Sequence, residues 1–183
     1  EMSGTIVAVG RDVTDIKIGD KVAVDPSLHC GECFYCRRAR GNLCENWNAL
    51  GVTFPGAAAE FLLSPKKNIH KLPAGIDLKA AALIEPLSCA VRGFDQLPRN
   101  PGSNYLIYGS GTMGLMMAEM ARVNGAANVC IVDLNSEKLE TAKVLGFKNT
   151  ANSADNFDYP RGFDVVIDCT GVVAAIKDGL KHV

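Results

Sequence analysis

The stretch Tyr105-Leu-Ile-Tyr-Gly109-Ser-Gly111-Thr-Met-Gly114 constrains this chain more than any other. A short apolar run reads as a buried strand. Leu115-Met-Met-Ala-Glu-Met-Ala121 reads as a helix. Between them three glycines stand in the pattern G-x-G-x-x-G. A strand that enters a helix across such a turn opens a βαβ unit, and that unit dictates a parallel sheet with right-handed crossovers. The glycines also carry chemistry. Gly109 lets the chain turn sharply. Gly111 lacks the Cβ that would keep a pyrophosphate off its backbone. Gly114 lets the helix pack closely on the strand. The free N–H groups and positive dipole end of that helix then face the phosphates.

The next elements agree with a dinucleotide site. Val129-Cys-Ile-Val132 reads as the second strand, and Asp133 ends it, roughly twenty residues past the glycines. A carboxylate there accepts hydrogen bonds from both ribose hydroxyls of NAD and repels the 2′-phosphate of NADP. Ser136 is the expected cap of a helix that ends at Gly146, with Glu137 in its first turn. Asn149-Thr-Ala151 is a weak third strand, Asp164 to Asp168 a clear fourth, and Val172 to Val183 a helix. This order is a doubly wound parallel sheet. It stops short of six strands, so the chain reads as cut at its C-terminal end.

The N-terminal half follows another pattern. Thr5 to Val9, Lys21 to Val24, Ala57 to Leu63 and Asn68 to Leu72 read as strands, with Gly10, Gly19-Asp20, Pro26 and Pro65 as stops. They predict a barrel-like or sandwich-like lobe. Inside it lies Cys30-x2-Cys33-x2-Cys36-x7-Cys44. Such gaps let a loop present four thiolates to one point, which makes a closed tetrahedral zinc site. A closed site holds no substrate and acts as a staple for a lobe poor in apolar residues. The usual iron–sulfur spacings differ from this one. Two disulfides are geometrically hard at these gaps, and independent buried cysteines do not cluster in this way. Arg37, Arg38 and Arg40 either favour the thiolates or are ordinary solvated arginines. His29 and His70 read as surface residues.

Asp77 is placed to cap a helix from Leu78 through Ala80-Ala-Ala-Leu-Ile84, which runs into Glu85-Pro86-Leu87. Taken alone, Glu85 reads as a solvated glutamate at a helix end. A second helix, Cys89 to Leu97, leads through Pro98 to Gly102 into the glycine turn. The balance of the chain excludes other functions. A net charge of −1 leaves no basic face for nucleic acid and no polybasic membrane patch. No apolar run has membrane-spanning length, and no signal-peptide pattern opens the sequence. Seven cysteines, four of them between Cys30 and Cys44, argue for thiolate chemistry in a reducing, cytoplasmic compartment.

Together these residues resemble the medium-chain dehydrogenase/reductase family, in its zinc-containing alcohol and polyol dehydrogenase branch, over the whole chain. Cys30, Cys33, Cys36 and Cys44 match its structural zinc lobe. Gly109, Gly111, Thr112, Met113, Gly114 and Asp133 match its NAD site. Asp164 to Gly171 resembles its fourth strand and the turn that lines the cofactor. The resemblance implies an α/β chain of two partial domains. Residues 1–90 would form a GroES-like β-barrel-type catalytic domain without its N-terminal part. Residues 91–183 would form a Rossmann NAD-binding domain without its C-terminal part. Glu1 is similar to the glutamate of a Gly-His-Glu motif whose histidine binds a catalytic zinc. Glu85-Pro86-Leu87 is similar to the sorbitol-type polyol dehydrogenases, where a glutamate ligates that zinc or its water. The resemblance therefore moves Glu85 to the metal site. It also places Met113 beneath the cofactor and Lys138 at the ribose. The activity it implies is hydride transfer between NAD and a polyol or related secondary alcohol, by a homo-oligomer (dimer or tetramer). The alternative is a non-catalytic NAD- and zinc-binding protein that keeps the dehydrogenase fold.

Overall fold

The computed structural model describes residues 1–98 and 100–183, so Arg99, in the Pro98–Gly102 connection, lies outside the described residues. The chain divides into two compact units, Glu1–Pro86 and Leu87–Val183. Among the described residues no helix is long and apolar enough to cross a membrane.

The first unit contains β1 (Met2–Thr5), β2 (Lys21–Val24), β3 (Ser27–Leu28), β4 (Asn48–Ala49) and β5 (Ile69–Lys71). Strands β1, β2 and β5 form an antiparallel sheet in that order, with Met2 opposite Val24 and Val24 opposite Ile69. These residues and Leu50 make a small core. Strands β3 and β4 pair antiparallel and bracket the cysteine loop. Buried Asn68 ties the bracket to the sheet: its Nδ2 donates to the Asp25 and Ser27 carbonyls at 2.8 Å each. Buried Asp20 accepts from Lys71 Nζ at 2.9 Å and from the Lys17 N–H at 3.0 Å.

Two expected strands differ. The first begins at Met2 and ends at Thr5, not Thr5 to Val9. Pairing carries on only through Ile6, whose N–H donates to the Asp20 carbonyl at 2.9 Å. Val7 and Val9 are exposed, and Ala57 to Leu63 forms no strand, with Phe61 and Leu63 exposed. β-branched and aromatic residues favour an extended chain, but a strand also needs a partner edge. No described segment supplies one to either run. An apolar groove of about 720 Å³ lies between them.

Helix α1 (Leu78–Ala81) starts where expected, with the Ala80 N–H donating to Asp77 Oδ2 at 3.1 Å. Helix α2 (Ile84–Phe94) corrects the reading of Glu85. Glu85 and Pro86 do not end a helix; they lie in the first turn of α2. A proline is tolerated there because first-turn N–H groups have no intrahelical acceptor, and a carboxylate there meets the positive end of the helix dipole. The division between the two units falls inside this helix.

The second unit continues with β6 (Asn104–Tyr108), α3 (Thr112–Val123), β7 (Asn128–Val132), α4 (Ser136–Val144), β8 (Asn149–Ala151), β9 (Val165–Asp168) and α5 (Val173–Gly179). The strands form one parallel sheet in the order β8-β7-β6-β9. Its centre is apolar on both faces, which is why the strand sequences run apolar without alternation. Tyr105, Ile107 and Ile131 pack against Phe94 of α2, Met117 and Ala118 of α3 and Leu139 of α4. Leu106, Tyr108, Cys130 and Val132 face the other way, toward Phe163 and Ala175 of α5. Helices on both faces make the sheet doubly wound, as expected. Asn135, not Ser136, caps α4, its Oδ1 accepting from the N–H groups of Glu137 and Lys138 at 2.9 and 3.2 Å. Ser136 is the first residue inside the helix.

Candidate cofactor and metal sites

Four sulfurs converge in the first unit. The Sγ atoms of Cys30, Cys33, Cys36 and Cys44 all lie within 4.8 Å of one another. Their sulfurs are 3.5 Å apart for Cys30–Cys44, 3.9 Å for Cys30–Cys36 and 4.0 Å for Cys33–Cys44. A tetrahedron with Zn–S bonds of about 2.3 Å has edges of about 3.8 Å, so the donor set fits zinc. No disulfide joins the described cysteines. Two tight 3₁₀ turns, Cys36–Arg38 and Gly41–Leu43, fold the loop back so that the distant Cys44 meets the other three.

Backbone amides, rather than arginines, tune these thiols. The N–H groups of Cys33 and Asn46 donate to the sulfurs of Cys30 and Cys44 at 3.4 and 3.3 Å. The amides of Cys36 and Glu45 lower the Cys33 thiol to about 6. Desolvation pushes the Cys36 thiol up to about 12. Without a cation the loop accommodates a thiolate at Cys33 and keeps Cys36 protonated. A divalent metal is what lets all four ionise together. Arg38 is turned away: its guanidinium lies 3.7 Å from the Phe34 ring centroid, and Nη1 donates to the Phe34 carbonyl at 3.3 Å.

The second centre lies at the carboxyl ends of the parallel strands. Gly109 has φ +98°, a region only glycine enters freely, and a Cβ there would press on the Cys169 carbonyl. Helix α3 starts at Gly111 with no side chain capping it, so its first N–H groups are available to an anion. A Cβ on Gly111 would meet nothing within 4 Å. The space a side chain would fill is open, as a close pyrophosphate requires. Thr112 is exposed at the helix start, and Met113 packs beside the core beneath it. A cavity of about 760 Å³ opens beside this turn, lined by Gly109, Gly111, Asp133, Lys138, Thr170 and Val172 among others. Thus the glycines, Asp133 and Lys138 are brought together. Burial and the neighbouring Asp168 push the Cys169 thiol up to about 11, so it presents no charge to the cavity.

Ser110 and Asn135 of this site escaped the sequence, whereas Asp168 lies in the stretch Asp164 to Gly171 that the resemblance already gave to the cofactor-lining turn. Ser110 is fully buried and links the turn to Asp133 and α4. Asp168 folds the turn after β9: its carboxylate accepts from the Thr170 N–H at 3.0 Å, the Thr170 hydroxyl at 2.6 Å and the Gly171 N–H at 3.2 Å. Asn135 caps the helix that carries Lys138. Asn-Ser-Glu is a short turn signature that could have marked Asn135.

Glu1 is exposed just before β1, and Glu85 is half-buried at the start of α2. Among the described residues only the four cysteines form a group of three or more possible metal ligands.

Family models match both parts of the chain. Residues 1–74 match the alcohol dehydrogenase GroES-like domain, and residues 112–183 match the zinc-binding dehydrogenase domain. The chain belongs to the zinc-containing medium-chain dehydrogenases. In the chain a GroES-like unit is therefore followed by a Rossmann-type one. It is 36% identical over 194 residues to D-arabinitol dehydrogenase 1 of Uromyces fabae, covering 100% of this chain and 55% of that protein. It is 38% identical over 192 residues to an L-threonine 3-dehydrogenase of Streptomyces avermitilis, again covering 100% and 55%. A zinc-binding dehydrogenase of Sinorhizobium meliloti, solved with NADP, superposes with a TM-score of 0.91 at 32% identity, covering 98% of this chain and 56% of that one. The chain thus spans about half the length of the relatives it matches.

Proposed function

We propose that the protein is a zinc-containing oxidoreductase that moves a hydride between NAD and a polyol or related secondary alcohol. The observation that carries this reading is the cavity at Gly109–Gly114, with Asp133 on its wall. In this reading the α3 N–H groups bind the pyrophosphate, Asp133 and Lys138 take the adenosine ribose, and Met113 packs beneath the cofactor. When bound, NAD supplies the hydride acceptor. The four-cysteine zinc is structural and stands outside the reaction.

Among the described residues no three-ligand set for a catalytic zinc is formed. We assign Glu1 and Glu85 to it on the family resemblance. Glu85-Pro86-Leu87 favours the polyol group over the threonine dehydrogenases that match equally well. The second reading is a non-catalytic NAD- and zinc-binding protein that keeps the dehydrogenase fold. The thiol-rich, disulfide-free chain supports a cytoplasmic setting. A homo-oligomer, a dimer or tetramer, is proposed on the family resemblance alone.

Steady-state NADH formation by the zinc-replete intact protein, over a panel of sorbitol, xylitol, arabinitol and L-threonine, tests the proposal. Polyol oxidation faster than threonine oxidation is expected. Threonine as the better substrate moves the chain to the other group. NAD binding without turnover on any alcohol establishes the second reading.

A further inference from the structure

We infer that Ser110 is a positioning residue of the cofactor turn: it holds the Asp133 carboxylate square to the ribose diol and so sets the preference for NAD over NADP. The inference rests on the NAD reading above and adds a residue that neither the glycines nor Asp133 account for.

Four residues close a circuit of hydrogen bonds within the second unit. The Ser110 N–H donates to Asp133 Oδ2 at 2.7 Å. Asp133 Oδ1 accepts from the Asn135 N–H at 2.8 Å. Asn135 Oδ1 accepts from the Lys138 N–H at 3.2 Å. The Lys138 carbonyl accepts from the Ser110 hydroxyl at 2.9 Å. The circuit joins the glycine turn, the end of β7 and the first turn of α4.

Each carboxylate oxygen spends one lone pair on the circuit and keeps another. A vicinal diol offers two donors for the remaining pair of sites. A 2′-phosphate offers none and meets a fixed negative charge. The preference therefore depends on the carboxylate being held, not only on its presence.

Ser110 is 1% exposed and contributes the one uncharged side-chain hydroxyl in the circuit. Its hydroxyl could bond to backbone close by in sequence, as serine side chains can. It instead spans to the helix that carries Lys138. Removing that hydroxyl leaves the glycines, the helix N-terminus and the Asp133 charge in place, while the strut between turn and helix is lost.

The test is equilibrium binding of NAD and of NADP to the intact protein, to Ser110→Ala, and to Ser103→Ala, a buried serine beside the other end of β6. Ser110→Ala should weaken NAD about fivefold, the scale of one lost neutral hydrogen bond. NADP should change less than about twofold on that same scale, so the ratio narrows. Ser103→Ala should leave the ratio unchanged even if it lowers Tm. Ser110→Cys, nearly isosteric with a weaker donor, should fall between the unmutated protein and Ser110→Ala, and it serves if Ser110→Ala does not fold. An unchanged ratio in a folded Ser110 variant, with NAD still preferred by the unmutated protein, overturns this inference alone. No preference for NAD in the unmutated protein overturns the cofactor reading and the inference with it.

Discussion

Gly114 sits so close over the Gly109 carbonyl that a Cβ on Gly114 would overlap its oxygen. Gly111, three residues earlier, has open space on that side and an ordinary negative φ of −81°. The two glycines therefore answer to different demands: Gly114 to the fold, Gly111 to the ligand.

Alanine substitutions should separate those demands. Gly114→Ala must push the helix off β6 and should cost about 3 kcal/mol or more, in the range of overpacked cores. Gly111→Ala should leave Tm within about 1 °C while weakening NAD about tenfold or more, since a methyl replaces the close pyrophosphate approach. Thermal melts and NAD titrations of both variants check this. A Gly111→Ala protein that binds NAD normally removes the pyrophosphate from that position.

The zinc lobe should hold one tightly bound zinc per chain, lost in Cys36→Ser while the NAD unit stays folded. Metal analysis under reducing conditions and NAD binding on the same sample decide it; iron in place of zinc, or disulfides among the four cysteines, contradicts the assignment.

The metal-stripped lobe should show its own pH dependence. Cys33 is depressed from 9.0 to about 6, so it stabilises the folded loop above 9, and that stability is lost as pH falls through 6. Cys36 is raised from 9.0 to about 12, so its contribution is present below 9 and lost as pH rises through 12. Both act together near pH 9, where the stripped lobe should be most stable. Near neutral pH an alkylating agent should label Cys33 well before Cys36. Bound zinc should protect both, and equal labelling in the stripped protein contradicts the ordering.

Much of the second unit was legible because its signals are local. Strand, turn and helix at Tyr105–Val123 are fixed by neighbours in sequence, and so is the Asp77 cap. The cysteine loop was equally legible, since thiol spacing alone sets its geometry. What was not legible depends on partners. Val7 to Val9 and Ala57 to Leu63 carry strand-forming residues, yet pairing decides strands, and no described edge meets them. Ser110 was hidden for the same reason: its role is a bond to Lys138, and nothing in a serine between two glycines announces it. Glu85 read as a helix end because the apolar run before it looked like the body of one helix, although a proline in a first turn starts a new helix readily.

Asp133→Ser should narrow the preference for NAD over NADP by about tenfold or more, the value of a charged hydrogen bond. It should also lower Tm, because the carboxylate accepts from the amides of Ser110 and Asn135 as well. Competitive titration of the two cofactors measures the first effect and calorimetry the second. A lower Tm with an unchanged preference would leave Asp133 a purely structural residue.

Glu85→Gln keeps shape and removes charge. In the intact protein, polyol turnover should fall by about ten- to a hundredfold, the range for lost metal partners, with NAD affinity unchanged. Steady-state kinetics beside direct NAD binding reads both; unchanged turnover returns Glu85 to a helix-start residue.

The most direct measurement is isotopic. The intact, zinc-replete protein is given NAD and a polyol deuterated at its carbinol carbon, and the NADH formed is read by NMR. Deuterium on the nicotinamide ring is the predicted result. NADH without deuterium, or no NADH from any polyol, contradicts a polyol dehydrogenase.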